Sequence, residues 1–177
     1  GNLNGCGYFV ARQQSRLADN LSQSMLNHND PQTVETAIPT LLLTVDSMIG
    51  PDASSELLLA GARLYGAYAG AFVEDEARRK RLAQRAFDYG KRGACQYDEQ
   101  WCALAEMDFQ QVKALSSQAD TDAVPVIYGL ATSWLTYIQA HRDDWNAVAN
   151  LAKVEVMLQA VVRLDEDHDH GGAHLYL

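Results

Sequence analysis

Apolar positions recur at three- and four-residue spacing along nearly the whole chain, and no sustained apolar/polar alternation appears, so the sequence predicts helices and no sheet. Leu17, Leu21 and Met25 stack at i, i+4 and i+8, which predicts a first helix over about Tyr8 to Met25. Asp30-Pro31 reads as an N-cap followed by proline at the first helical position. The second helix it opens carries Val34, Ile38, Leu41, Leu42, Val45 and Met48, and Pro39 should kink it or mark its true start. The Gly50-Pro51-Asp52 turn ends that element, and Ser54 or Ser55 opens the next.

That third helix, Leu57 to Val73, is the most informative stretch. Sixteen of its seventeen residues lack a charge, Arg63 being the exception, and eight are Ala or Gly. A helix apolar all round is expected to be buried on nearly every side. Gly61, Gly66 and Gly70 each cost roughly 1 kcal/mol relative to Ala in a helix, so close packing is expected to offset them. Tyr65, Tyr68 and Phe72 follow at i, i+3 and i+7 and place three rings along one stripe.

A fourth, amphipathic helix begins near Asp75, with Leu82, Ala83, Ala86, Tyr89 and Gly93 on one face. Half of the chain's 14 bases lie between Arg78 and Arg92. That face reads either as a docking surface for an acidic partner or as the solvated side of the helix. A fifth helix holds Trp101, Ala105, Phe109 and Val112. Pro125 opens a sixth that reaches about His141, and a seventh covers roughly Trp145 to Leu164.

Sliding the sequence by 69 residues aligns Tyr65 with Trp134, Tyr68 with Tyr137, Phe72 with His141 and Ala62 with Ala131. A tetratricopeptide unit is roughly 34 residues, so this shift is close to two units. The expected fold is all-α, an irregular tetratricopeptide-like solenoid of helical hairpins. Residues 1–7 read as an N-terminal linker and 8–177 as the helical domain. The apolar pattern is still running at Leu177, which reads as a solenoid that continues further.

Apolar residues make up 47% and charged residues 21%, the balance of a globular chain. The net charge of −9 is unevenly placed: residues 98–177 carry thirteen acids and four bases. An acidic half of that kind repels phosphate backbones, which argues against nucleic acid. No apolar run reaches the roughly 20 residues a membrane span needs. Nucleophile elbow, phosphate loop and zinc-binding helix motifs are missing, so no enzyme, cofactor or metal is expected. The acidic run Asp165-Glu166-Asp167-His168-Asp169-His170 could in principle hold a divalent cation, but its position at a junction between repeats reads as a solvated turn.

Three cysteines carry the remaining chemistry. Leu3-Asn4-Gly5-Cys6 has the aliphatic, small and cysteine positions recognised before lipid attachment in bacterial lipoproteins; the alternative is an ordinary terminal cysteine. Acyl chains on Cys6 would anchor the domain to a membrane surface without a spanning helix. Cys95 and Cys102 lie seven residues apart, near the end of the fourth helix and in the first turn of the fifth. They would pair as a disulfide in an oxidising compartment or remain as two buried thiols.

Taken together, Leu3–Cys6, Arg16–Leu21, Ala37-Ile38-Pro39, Leu41–Leu43, Asp46-Ser47, Leu57–Val73 with Glu74-Asp75, and Phe87–Gly90 before Cys95 resemble one family. It is the T-component (TatT) of tripartite ATP-independent periplasmic, or TRAP, transporters. The resemblance spans the chain and is most specific over Leu57–Cys95. It implies a periplasmic lipoprotein that assembles as a homotrimer, and Gly7, which lacks the usual aspartate-type signal for inner-membrane retention after Cys6, points to anchoring at the outer membrane. It further implies a pore through each subunit, a solute-binding protein as partner, and a small, at least partly apolar ligand.

Two functions compete at this stage. One is a transport accessory that receives or hands over ligand beside a solute-binding protein. The other is a cell-envelope scaffold lipoprotein that organises proteins without touching ligand. On the first, Tyr65, Tyr68, Phe72, Trp134, Tyr137 and His141 would face one concave surface and line a passage. The bland alternative is that these rings fill the core.

Overall fold

The computed structural model describes residues 30–177. The helix expected over Tyr8–Met25 and the lipidation motif at Cys6 lie outside the described residues. Among the described residues every regular element is helical and no strand occurs.

Local chemistry explains where the helices begin. α1 (Pro31–Met48) follows Asp30, whose carboxylate accepts from the Gln32 amide at 3.0 Å, and it runs on through Pro39. α2 (Ser55–Ala71) is capped by the Ser54 hydroxyl and α3 (Glu76–Tyr97) by Asp75, which accepts from the Arg78 amide at 2.7 Å. A 3₁₀ turn, Glu99–Ala103, leads to α4 (Phe109–Gln118). α5 (Val124–Ala140) carries Pro125 in its first turn and is capped at its end by His141. The one-turn helix α6 (Trp145–Val148), α7 (Leu151–Leu164) and the short α8 (His168–Gly171) follow, and a 3₁₀ turn, Gly172–Leu175, closes the order.

Two expected helices are each broken in two. The fifth is the 3₁₀ turn plus α4, because Asp108 and Gln111 form a capping box that starts a new helix. Cys102 therefore sits in the 3₁₀ turn and not in a helix. The seventh is α6 plus α7, separated at Ala149-Asn150. The third ends at Ala71 with Phe72 as its cap, two residues before Val73.

α2, α3 and α5 pack on one another, α1 lies on α2, α7 lies on α5, and α4 lies on α7. α2 and α3 run antiparallel: Leu59 meets Gly93 at one end and Tyr68 meets Arg78 at the other. α3 and α5 are also antiparallel, since Gly90 faces Ser133 while Lys80 reaches Asp143 just past the end of α5. Ser133 Oγ sits closest to where a Cβ on Gly90 would lie, and Leu59 makes two further close approaches. A Cβ on Gly93 would lie 2.9 Å from Leu59 Cγ, and one on Gly129 would lie 2.9 Å from Leu59 Cδ2. The isobutyl group of Leu59 thus fills a notch that two glycines of different helices leave open.

α2 is less enclosed than its composition suggests. Arg63, Ala67 and Gly70 form an exposed stripe, and nothing comes within 4 Å of a Cβ at Gly70. Gly61 alone of the three expected positions is tightly packed, against Ile49 and Tyr89 at 3.0 Å. The cause is simple: small residues permit burial without requiring it, and here they serve both faces.

Two cores result. One gathers Val34, Ile38, Leu42, Leu58, Tyr65, Tyr68 and Tyr89 between α1, α2 and α3. The larger one gathers Leu59, Phe87, Trp101, Ile127, Leu130, Trp134, Met157 and Leu158 around α5. The acidic turn after α7 carries three consecutive residues in the left-handed region: Asp169 (φ 51°), His170 (φ 58°) and Gly171 (φ 74°). Two non-glycine residues there store strain, and the Tyr128 hydroxyl, donating to Asp169 Oδ2 at 3.0 Å, is one contact that holds them. Burial and this carboxylate push the Tyr128 phenol well above its usual range.

Candidate functional site

The 69-residue shift pairs helices that occupy related places, α2 and α5, yet the rings they carry face different surroundings. Tyr65 and Tyr68 belong to the α1–α2–α3 core, and Trp134 belongs to the α5 core. The six residues do not share one surface, because α3 packs on both α2 and α5 and its Tyr89 and Phe87 take opposite sides.

Tyr65 is buried at the centre of a polar cluster. Its hydroxyl donates to Asp46 Oδ2 at 2.8 Å, the Tyr89 hydroxyl donates to Asp46 Oδ1 at 2.7 Å, and Arg85 Nη1 donates to Oδ2 at 3.0 Å. The Arg85 guanidinium also lies over both rings, at 5.6 and 5.9 Å. Burial, then the hydrogen bond to Asp46, pushes the Tyr65 phenol up to about 12. Tyr68 is buried as well; Arg78 Nη2 donates to its hydroxyl at 3.1 Å, and Phe72, half-buried, stacks beside it. The edge of Tyr68 borders an open polar hollow with Thr33, Thr36 and Ala37 of α1.

The second set is arranged differently. Phe87 stacks face to face with Trp134 (5.2 Å between centroids) and with Tyr137 (5.3 Å), and Tyr137 continues to His141 at 4.2 Å. His141 Nδ1 lies 2.9 Å from the Tyr137 carbonyl oxygen, so this nitrogen carries the shared proton. Phe87, Trp134, Tyr137 and Leu104 form the floor of a cleft of about 280 Å³ between α3, α5 and α6. Gln84, Lys91, Asp144, Asn146 and Asn150 supply its polar rim. Lys91 Nζ lies 4.7 Å from the Phe87 centroid and pairs with Asp88 at 2.9 Å. Lys153 reaches over the Trp134 ring at 5.9 Å.

The basic residues of α3 are mostly engaged within the fold. Arg79 donates to the Val73 carbonyl (3.1 Å), Arg92 to the Gly50 carbonyl (2.8 Å), and Lys80 bridges Glu76 and Asp143. The Lys80 ammonium donates to Asp143 and holds that carboxyl below its ordinary range. Among the described residues no group of His, Cys, Asp or Glu side chains is placed to hold a metal. Cys95, half-buried, and Cys102, exposed, are joined as a disulfide with Cα atoms 4.4 Å apart. It ties the end of α3 to the 3₁₀ turn that leads into the Leu104 wall of the cleft.

Phe87 and Asp46 are the residues that ring spacing on α2 and α5 did not reveal. Phe87 lies four residues before Lys91 and three before Gly90, on the face that meets α5, which is a legible signal of an aromatic aimed at a close helix contact.

This is an all-α protein with an aromatic cleft, and sequence comparison supplies its class. The family model described as TRAP transporter T-component (TAtT) matches residues 27–177, and the chain belongs to that family. It is a family of transporter components, not of enzymes. Neither the curated proteins nor the solved structures contain a match to this chain. No described helix is long and apolar enough to cross a membrane.

Proposed function

We propose that the chain is a periplasmic accessory subunit of a TRAP transporter that docks the transporter's solute-binding protein and takes up a small, partly apolar ligand in the Phe87–Trp134–Tyr137 cleft. Membership in the T-component family supports the transport role. The observation that carries the ligand role is the cleft itself: half-buried Tyr137 borders open space, with the buried rings of Phe87 and Trp134 beneath it, whereas Tyr65 is enclosed by Asp46, Tyr89 and Arg85. Rings of this kind give a ligand apolar area and a polar handle. Lipid attachment at Cys6, anchoring at the outer membrane and assembly as a homotrimer belong to the same reading.

A second reading, a scaffold lipoprotein that assembles proteins without a ligand, is favoured by the open polar hollow along Thr33, Thr36 and Tyr68. Direct binding separates absence of a partner from presence. The purified solute-binding protein of the same transporter should associate with the whole chain in a calorimetric titration, and no heat of association would contradict the transport reading. Tyr137→Ala then separates the two functions, because a scaffold that uses the hollow is indifferent to it.

A further inference from the structure

We propose that the cleft between α3 and α5 takes a small zwitterion, an amino acid or short peptide with an aromatic or branched body. This rests on the cleft being a ligand site and adds the class of ligand. Gln84, Phe87 and Lys91 line it at i, i+3 and i+7 of α3, a stripe about 10 Å long. Because Lys80, one turn before Gln84, bonds Asp143 at 2.9 Å, the neighbouring Asp144 marks the Gln84 end of the cleft. Lys91 marks the other end. Of the residues lining the cleft, one cation and one anion thus bracket an aromatic floor.

Neither charge is locked away from a ligand. Lys91 is paired with Asp88 across a single turn, with side chains 36% and 48% exposed, and such pairs are weak enough for the ammonium to turn to another carboxylate. Asp144 caps α6 by accepting from the Asn146 amide at 2.8 Å through Oδ1, and a carboxylate has acceptor capacity beyond one bond. Asn150 is fixed by donating to the Asn146 carbonyl at 2.7 Å, so the amide side of the rim is held in place. A fully apolar ligand would strip water from these rim groups without replacing its hydrogen bonds. At about 280 Å³ the cleft sits at the small end of ligand pockets, the size that suits an amino acid or dipeptide.

Titration calorimetry of the whole chain with L-phenylalanine, glycyl-L-phenylalanine, 3-phenylpropionate and 2-phenylethylamine tests this. At least one of the two zwitterions should bind roughly tenfold more tightly than either singly charged compound. Lys91→Gln should reduce that zwitterion to the level of 2-phenylethylamine. Asp144→Asn, which retains a good N-cap residue, should reduce it to the level of 3-phenylpropionate. Equal affinities for all four, indifference to both substitutions, or no binding by any probe would overturn the proposal. Failure of the wider reading looks different: probes bind as described while the solute-binding protein does not associate with the unaltered chain.

Discussion

The carboxylate of Asp46 on α1 accepts a hydrogen bond of 2.7 Å from the hydroxyl of Tyr89 on α3, 43 residues away. The same carboxylate takes the Tyr65 hydroxyl of α2 and the Arg85 guanidinium, so one side chain joins three helices. Asp46→Ala would leave two buried hydroxyls and a guanidinium without this acceptor. Unfolding by urea should show a loss of about 2–4 kcal/mol, and Asp46→Asn should lose less because its amide oxygen still accepts.

The pH dependence of stability follows from Tyr65, whose folded-state value of about 12 lies above the ordinary 10. A phenol whose value is raised on folding holds its proton more tightly in the native state. Its contribution is therefore fully present below pH 10 and is lost as pH rises from 10 towards 12. Denaturation midpoints should be flat up to about pH 10 on this account and then fall. In Tyr65→Phe the alkaline fall should be shallower.

Leu59 and Gly93 should behave as a coupled pair. Gly93→Ala alone forces a methyl into Leu59 Cγ and Leu58 Cβ, and should lower stability by about 1–2 kcal/mol. In a Leu59→Ala background the notch is empty. There only the Leu58 Cβ contact at 3.3 Å remains, helix propensity works in favour of the methyl, and the same change should cost at least roughly 1 kcal/mol less than it does alone. A double-mutant cycle by chemical denaturation reads the difference, and simple additivity would refute the packing described for α2, α3 and α5.

Cys95 and Cys102 should be recovered oxidised from periplasmic protein. Mass-based counting of alkylated thiols under denaturing, non-reducing conditions decides the matter, and two alkylated cysteines at these positions would exclude the pairing. Loss of the link in Cys102→Ser should lower stability by about 2–3 kcal/mol, given the short loop it closes.

Much of this fold is legible in the sequence because its helix starts carry strong side-chain caps. Asp30, Ser54 and Asp75 each accept a backbone amide of the first turn, and the helices expected after them are present. The breaks at Asp108 and Asn150 leave no mark in the apolar pattern. Apolar spacing continues across both, since Trp101, Val112, Val154 and Met157 all enter the same core. The aromatic residues show the limit of periodicity. Spacing places Tyr65 and Trp134 on matching helices, but the environment of each ring depends on α3, which presents Tyr89 to one and Phe87 to the other. No pattern within α2 or α5 contains that information. Asp46 is illegible for a related reason: its three partners are 19 to 43 residues distant.

The central claim is that the Phe87–Trp134–Tyr137 cleft does work that a filled core does not. It is tested most directly by measuring two properties of Tyr137→Ala together, affinity for whichever zwitterion, L-phenylalanine or glycyl-L-phenylalanine, the unaltered chain binds more tightly, and melting temperature. Tyr137 is half-buried and borders the cleft, so binding should weaken by roughly tenfold or more while the melting temperature falls by only a few degrees. Tyr65→Ala, which removes a buried ring and an Asp46 partner, should show the opposite balance. If Tyr137→Ala instead lowers the melting temperature sharply and leaves binding unchanged, the ring is core and the cleft has no part in transport.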